Sequence, residues 1–313
     1  MSKVVIAIPV YNEETFIART IESALNQDYK DLSIVVSDNC STDNSLEIAQ
    51  SYANKYSNIR VISPNENIGA IGNFIFVLNE VKSDYFMWLG AHDTIQPSYI
   101  SNAVAILDDK PDVEMVFHRS QYIDENDLEL ETTKDGSDIA RYDTSDYNRI
   151  SNIFDLTIST VIHGLFRLDN LQKIPTNNNI RFDLQILFYT ATFGKIYKID
   201  EVGFNRRKMR NEETFEQRKK RLASYKMYFD KSIYQYDMIN SRIDMLSYLT
   251  ALEKKKLKIK FFKRFYHFLS MSEVDFTKDY IKKTKKPHSY AMALRTAKTI
   301  THTRELAKKI LRK

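Results

Sequence analysis

The 313 residues are 43% hydrophobic, enough for one or two ordinary cores, so an α/β domain with an appendage is the simplest organisation. The single cysteine, Cys40, excludes an internal disulfide and a cysteine-rich metal module and fits a reducing, cytoplasmic setting. The net charge of +5 conceals a division: residues 215–313 hold 26 Lys and Arg against 9 Asp and Glu, while residues 1–214 hold 20 against 32, so balances of +17 and −12 share one chain.

The chain enters a strand-like run at once, Val4–Ile8, with no basic segment ahead of a long apolar core, so no signal peptide is expected. No apolar stretch approaches the roughly 20 residues that span a bilayer. Further strands are predicted at Leu32–Val36, Ile59–Ile62 and Tyr85–Leu89, with amphipathic helices at Thr15–Gln27, Asn44–Tyr56 and Gly69–Val81 between them. Val- and Ile-rich strands alternating with such helices predict a mostly parallel sheet covered on both faces, with ligands outside the C-terminal strand ends.

The polar residues closing each strand therefore carry the functional reading. The first strand is expected to stop at Pro9, which cannot donate to the ladder, placing Tyr11 and Glu13 at the crevice; a plain loop leading to a helix capped by Asn12 is the other reading. Asp38 closes the second strand, where a carboxylate accepts from a base N–H or ribose hydroxyl, whereas Asp43 reads as a helix cap. Asn67, Gly69 and Asn73 follow the third strand, either as a close-approach ligand loop or as an ordinary turn. The fourth runs into Gly90-Ala91-His92-Asp93, where an acid holds a divalent cation against a diphosphate and His92 is either a ligand or a structural imidazole.

A strand at Val113–His118 and an acidic surface loop or insertion at Asp124–Asn148 come next. Order resumes with Ile158–Arg167, a helix near Asp183–Phe193 and a strand at Lys195–Ile199. From Thr214 onward the pattern is helical and basic, giving a division into a catalytic domain over 1–214 and a helical region over 215–313. Lys254–Arg264 and Arg304–Lys313 interleave cations with apolar groups, which suits an anionic membrane surface; packing on the catalytic domain or on a second copy of the chain, as a homo-oligomer, is the alternative. No nucleic-acid recognition motif is present.

Taken together, PVYNE at 9–13, SDNCSTDNS at 37–45, NENIGAIGN at 65–73 and LGAHDTIQP at 89–97 resemble the family 2 glycosyltransferases, over roughly residues 3–210. The resemblance implies a GT-A fold with a C-terminal α-helical extension and a nucleotide-sugar donor, UDP-linked by expectation. It assigns Tyr11, Glu13 and Asp38 to the nucleoside, Pro9 to the nucleotide-sugar site, and Asn67, Gly69 and Asn73 to the floor beneath ribose and diphosphate. His92, Asp93 and His163 join the donor site, with Asp93 the ligand of a manganese or magnesium ion. Asp183 falls at the family's general base, although an acid opening a helix is also explained by the helix dipole. The implied reaction is an inverting transfer to a hydroxyl of a glycan or lipid-linked acceptor in bacterial surface-polysaccharide synthesis, such as capsule, lipopolysaccharide or teichoic acid. Acceptor choice is expected in the 119–160 region.

Two departures stand out. Gly90 and His92 occupy positions where the family usually has acids, leaving Asp93 alone, and the final loop reads Asn205-Arg206-Arg207-Lys208-Met209-Arg210 where a histidine is common. Weak dependence on metal is the reading this suggests, with Arg206 or Arg207 sharing the diphosphate charge; a solvated basic loop is the alternative. A non-catalytic sugar-nucleotide-binding or scaffold protein is the rival function.

Overall fold

A computed structural model describes residues 3–132, 145–156, 159–176, 182–208 and 238–270. They divide into two compact units, one comprising residues up to 208 together with Leu246–Leu249, the other the rest of the C-terminal portion.

The first unit alternates strands and helices: β1 (Val4–Val10), α1 (Ile17–Leu25), β2 (Leu32–Asp38), α2 (Ser45–Lys55), β3 (Ile59–Ile62), α3 (Gly69–Asn79) and β4 (Tyr85–Trp88). A short β5 (Thr94–Ile95) and α4 (Tyr99–Asp109) precede the long β6 (Val113–Ile123), which pairs with β7 (Glu129–Thr132). Then come α5 (Asp146–Ile153), a 3₁₀ turn at Ser159–His163, β8 (Leu165–Arg167), α6 (Leu168–Gln172), α7 (Phe182–Phe193) and β9 (Lys195–Arg207). The nine-stranded sheet runs β3-β2-β1-β4-β8-β6-β9-β5, with β7 beside β6.

β1 to β4 pair with one another only in parallel, β8, β5 and β7 join antiparallel and β6 pairs with β9 in parallel, so the sheet is parallel where the first βαβ units build it and mixed beyond. Every residue of β1 is buried, as expected of a strand covered on both faces. Val4, Ile6 and Ile8 share one core with Ile17, Ile21 and Ala24 of α1, the residues whose helical spacing marks that helix in the sequence. At about 25 cal/mol per Å², each such fully buried Val or Ile contributes roughly 1.5–3 kcal/mol.

Four expectations are corrected. β1 does not stop before Pro9 but runs through it to Val10. Val4 N and Val10 O bond toward β2, while Ala7 O accepts from Leu89 N on the β4 side. Pro9 therefore turns its missing N–H to the β4 side, where the pairing has already ended at Ala7 and Trp88, and no ladder bond is lost. The strand predicted to end at His118 continues to Ile123, and the acidic stretch after it starts with a hairpin through β7; residues 133–144 of that stretch lie outside the described residues. The strand predicted to end at Ile199 continues to Arg207, so Asn205, Arg206 and Arg207 belong to a strand and not to a loop. β5, too short and polar to carry a pattern, pairs Thr94 with Asn205 and Ile95 with Phe204, and so ties the segment after Asp93 to the end of β9.

In the second unit residues 238–245 are helical and a 20-residue helix spans Ala251–Ser270. Leu257 and Phe261 of that helix are buried, whereas Leu252, Lys255, Lys256 and Ile259 are exposed at the i, i+3, i+4 and i+7 spacing of one helical face. Residues 304–313 lie outside the described residues. Among those described, no helix is long and apolar enough to cross a membrane.

Candidate functional site

The C-terminal ends of β1, β2 and β4 are joined side to side by short polar bonds. Asn12 sits in the left-handed region (φ 55°), and its Oδ1 accepts from Thr42 N at 2.8 Å while its own N–H donates to Ser41 Oγ. Glu13 N donates to Ser45 Oγ at 2.8 Å, and Glu14 N donates to Asp43 Oδ2. Asn12 thus latches two strand ends, and α1 begins five residues later at Ile17 with no side-chain cap. Asp43 behaves as the structural acid its position suggests. Burial works against its charge, but hydrogen bonds from Ser45 and Glu14 outweigh this and hold its pKa below the usual carboxylate value.

A cavity of about 320 Å³ opens at this edge, lined by Pro9, Val10, Tyr11, Glu13, Asn39, Ala70, Asn73, Phe74, Gly90, Ala91, His92, Asp93, His163 and Arg206. The strand-end residues Pro9, Tyr11, Glu13, Asn73, His92, Asp93, His163 and Arg206 therefore converge on one space. Asp38, Asn67, Gly69, Arg207 and Asp183 are not among its lining residues.

Each has an observable place. Asp38 is fully buried; its Oδ2 accepts from Ser41 N at 3.0 Å, and its Oδ1 is buried with no hydrogen-bond partner. Such an atom is costly unless something donates to it. Asn67 Oδ1 accepts from Asn39 Nδ2 and from Gly69 N, both at 2.9 Å, and Asn39 Oδ1 accepts from Ile68 N. Gly69 has φ +76° with open space where a Cβ would stand, so the backbone angle and not crowding calls for glycine. Asn73 is spent on Ser37, accepting from its hydroxyl at 2.6 Å and donating to its carbonyl at 2.8 Å.

His92 Nδ1 donates to Glu13 Oε1 at 3.0 Å, and its Nε2 lies 3.9 Å from Asp93 Oδ1. Burial opposes charge on this ring, but the Glu13 hydrogen bond and the fields of Asp93 and Glu13 prevail, and its pKa is raised. His163 is held the other way. Its ring stacks on Phe204 with centroids 5.0 Å apart, its Nδ1 donates to Trp88 O at 2.9 Å, and burial lowers its pKa.

The two arginines divide sharply. Arg206 is half-buried, lines the cavity and donates to Thr160 Oγ1 at 3.1 Å. Arg207 is buried: its guanidinium donates to His92 O, Asp124 O and Asp127, and packs over the Phe16 ring. Its peptide N–H donates to Asp93 Oδ1 at 2.9 Å. Arg207 thus shapes the His92–Asp93 turn from behind.

Asp183 lies half-buried in the first turn of α7, which is otherwise buried almost all round. The neighbouring Phe182 packs edge-on against Phe74 and Trp88, and Phe74 lines the cavity. Sequence reasoning missed Asn39 and Phe74, although Asn39 sits within the motif at 37–45 and Phe74 directly follows the one at 65–73.

The donor set fits a divalent cation poorly. Hard cations want several oxygen ligands, yet Asp93 has Gly90 and His92 where acids would help it, and Glu13 is committed to His92. A Cβ built at Gly90 would come 2.5 Å from Asp93 Oδ2, so the acid itself fills the space a side chain there would need. Among the described residues no cluster of three or more His, Cys, Asp or Glu is placed to hold a metal.

An uncharacterized glycosyltransferase of Rickettsia typhi is 33% identical over 127 residues, 40% of this chain and 38% of that protein. The poly(ribitol-phosphate) beta-N-acetylglucosaminyltransferase TarS of Staphylococcus aureus is 30% identical over 112 residues, 35% of this chain and 19% of that protein. The matches thus span well under two thirds of these relatives' length. Among solved structures, S. aureus TarS 1–349 in complex with UDP-GlcNAc superposes with a TM-score of 0.64 at 19% identity, covering 85% of this chain and 73% of that one. The mannosyltransferase PcManGT from Pyrobaculum calidifontis, in complex with GDP-Man and Mn2+, gives 0.52 at 16% identity, covering 96% and 83%. These likenesses show the GT-A fold. The model of glycosyl transferase family 2 matches residues 5–168, just over half of the 313, and the chain belongs to that family.

Proposed function

We propose that this chain is an inverting glycosyltransferase that moves one sugar from a nucleotide-sugar, UDP-linked, to a hydroxyl of a glycan or lipid-linked acceptor in bacterial surface-polysaccharide synthesis. The observation that carries the reading is the cavity at the strand ends, lined by Tyr11, Glu13, Asn39, His92, Asp93, His163 and Arg206, together with the unpartnered Oδ1 of Asp38, the residue before the lining Asn39. In this reading a base N–H or ribose hydroxyl of the donor satisfies Asp38, and the diphosphate lies toward Arg206. The acceptor oxygen attacks the anomeric carbon from the face opposite the diphosphate. As that bond forms, the bond from the anomeric carbon to phosphate oxygen breaks, the diphosphate leaves with the electron pair, and the hydroxyl proton passes to Asp183.

A panel of UDP-, GDP-, dTDP- and CMP-sugars tests the donor. The UDP class is expected to raise the melting temperature and be hydrolysed slowly; at about 100 times Kd the stabilisation is about 2.7 kcal/mol. No shift with any donor would sink the transferase reading.

The exposed Leu252, Lys255, Lys256 and Ile259 face supports contact with an anionic membrane, apolar groups entering the interface and cations meeting headgroups. Binding to vesicles containing anionic lipid is expected to fall in the double variant Leu252→Asp/Ile259→Asp. Unchanged binding would remove this face from the proposal.

A further inference from the structure

Resting on the transferase reading, we propose that the site meets the donor's diphosphate with the Arg206 guanidinium and the His92 ring and takes no divalent cation there. A nucleoside diphosphate brings negative charge into a cavity that already holds two carboxylates, Glu13 and Asp93. Something must offset both.

The structure answers the carboxylates one at a time. Glu13 accepts from His92 Nδ1 at 3.0 Å. Asp93 is almost wholly buried and accepts from the Arg207 peptide N–H at 2.9 Å, while its other oxygen packs against the bare Cα of Gly90. A cation there would share Asp93 with the bond that holds β9 to the His92–Asp93 turn, and would find no second acid at position 90 or 92.

Of the described residues lining the cavity, Arg206 alone carries a permanent positive charge. It comes from β9, and the end of that strand pairs with β5, just after Asp93. Its guanidinium spends one nitrogen on Thr160 Oγ1, while a guanidinium has five N–H donors and matches phosphate oxygens two at a time. A guanidinium built into the cavity supplies at the diphosphate part of the positive charge that a metal ion would otherwise bring. His92 spends Nδ1 on Glu13, which leaves the Nε2 edge of its ring to meet the diphosphate. The sequence left the two arginines equivalent; the buried bonds of Arg207 to His92, Asp124 and Asp127 remove it from this role and leave Arg206.

Calorimetric titration of the full chain with UDP and with uridine, in chelator and in excess Mn2+, decides the matter. UDP is expected to bind with the same Kd in both conditions, within about threefold. Arg206→Ala is expected to weaken UDP about tenfold or more in both, and to leave uridine unchanged. Tightening of wild-type UDP binding by about tenfold or more on adding Mn2+ would overturn the proposal, as would an Arg206→Ala chain that still prefers UDP over uridine as wild type does. The wild-type arm needs no variant to fold. Binding of uridine and UDP with a strong Mn2+ requirement would sink the metal-free site and leave the transferase reading standing; failure of every nucleoside diphosphate to bind would remove both.

Discussion

Replacing Asp183 by asparagine is expected to lower the transfer rate by about 10²–10⁴ while leaving donor affinity unchanged. A sugar hydroxyl is a weak nucleophile, and a carboxylate that removes its proton as the new bond forms is the group the reaction needs. Asparagine keeps the shape and the hydrogen-bonding oxygen but cannot take the proton. The competing role, an acid stabilising the N-terminus of α7, predicts a different result. Loss of a charge there costs about 0.3–1 kcal/mol, which would appear as a small drop in denaturation midpoint with no selective loss of rate. Asp183 is half-buried and lies outside the lining of the donor cavity, next to Phe182, which packs on the cavity-lining Phe74. In the proposed reaction the acceptor approaches from the face away from the diphosphate, so its base belongs outside the donor cavity. Transfer kinetics with the nucleotide Kd measured alongside separates the two roles. A variant with full activity would leave Asp183 as a helix acid and require another base.

The first, second and fourth strands were legible because a parallel strand buried on both faces needs a nearly continuous apolar run, which Val4–Ile8 and Tyr85–Leu89 supply outright and Leu32–Val36 supplies with Ser33 as its one break. Helix α7 was legible at both ends, but the long strands β6 and β9 of the second half were legible only at their starts. β9 continues through Asp200, Glu201, Gly203 and Asn205, residues with neither alternation nor β propensity, and is a strand because β6 pairs with it along its length through several register shifts. Those shifts also explain why the roles of Arg206 and Arg207 could not be read. Successive side chains on a strand point to opposite faces, so whichever arginine meets the cavity is settled by a register that no local pattern encodes. The bond between Glu13 and His92 spans 79 residues and follows only from β1 and β4 lying side by side. Pro9 misled for a simpler reason: a proline ends a strand only where its missing N–H faces a partner.

Asp127→Asn is expected to destabilise the first unit by about 2 kcal/mol, whereas Arg19→Met, which breaks an ion pair with the same carboxylate, is expected to cost less than about 1 kcal/mol. The asymmetry comes from burial. Arg19 lies 2.9 Å from Asp127 with both side chains 46% exposed, so water replaces what the substitution removes. Arg207 has no exposed side-chain surface, and Asp127 is the only carboxylate that the described bonds of its guanidinium reach. Neutralising that partner leaves a buried guanidinium held by two carbonyls and the Phe16 ring. Breaking a fully buried pair costs about 3–5 kcal/mol; the smaller value here reflects an amide that still accepts a hydrogen bond and a partner half open to solvent. Asparagine is the right substitution because Asp127 sits at φ 68°, a left-handed angle that asparagine tolerates and larger apolar residues do not. Urea denaturation of the two variants makes the comparison, and equal losses would mean that Arg207 is held without Asp127. The consequence reaches the donor site, since Arg207 bonds both His92 O and Asp93 Oδ1 through side chain and backbone. A loosened Arg207 should therefore weaken UDP binding as well as stability, and Arg19→Met should change neither by much.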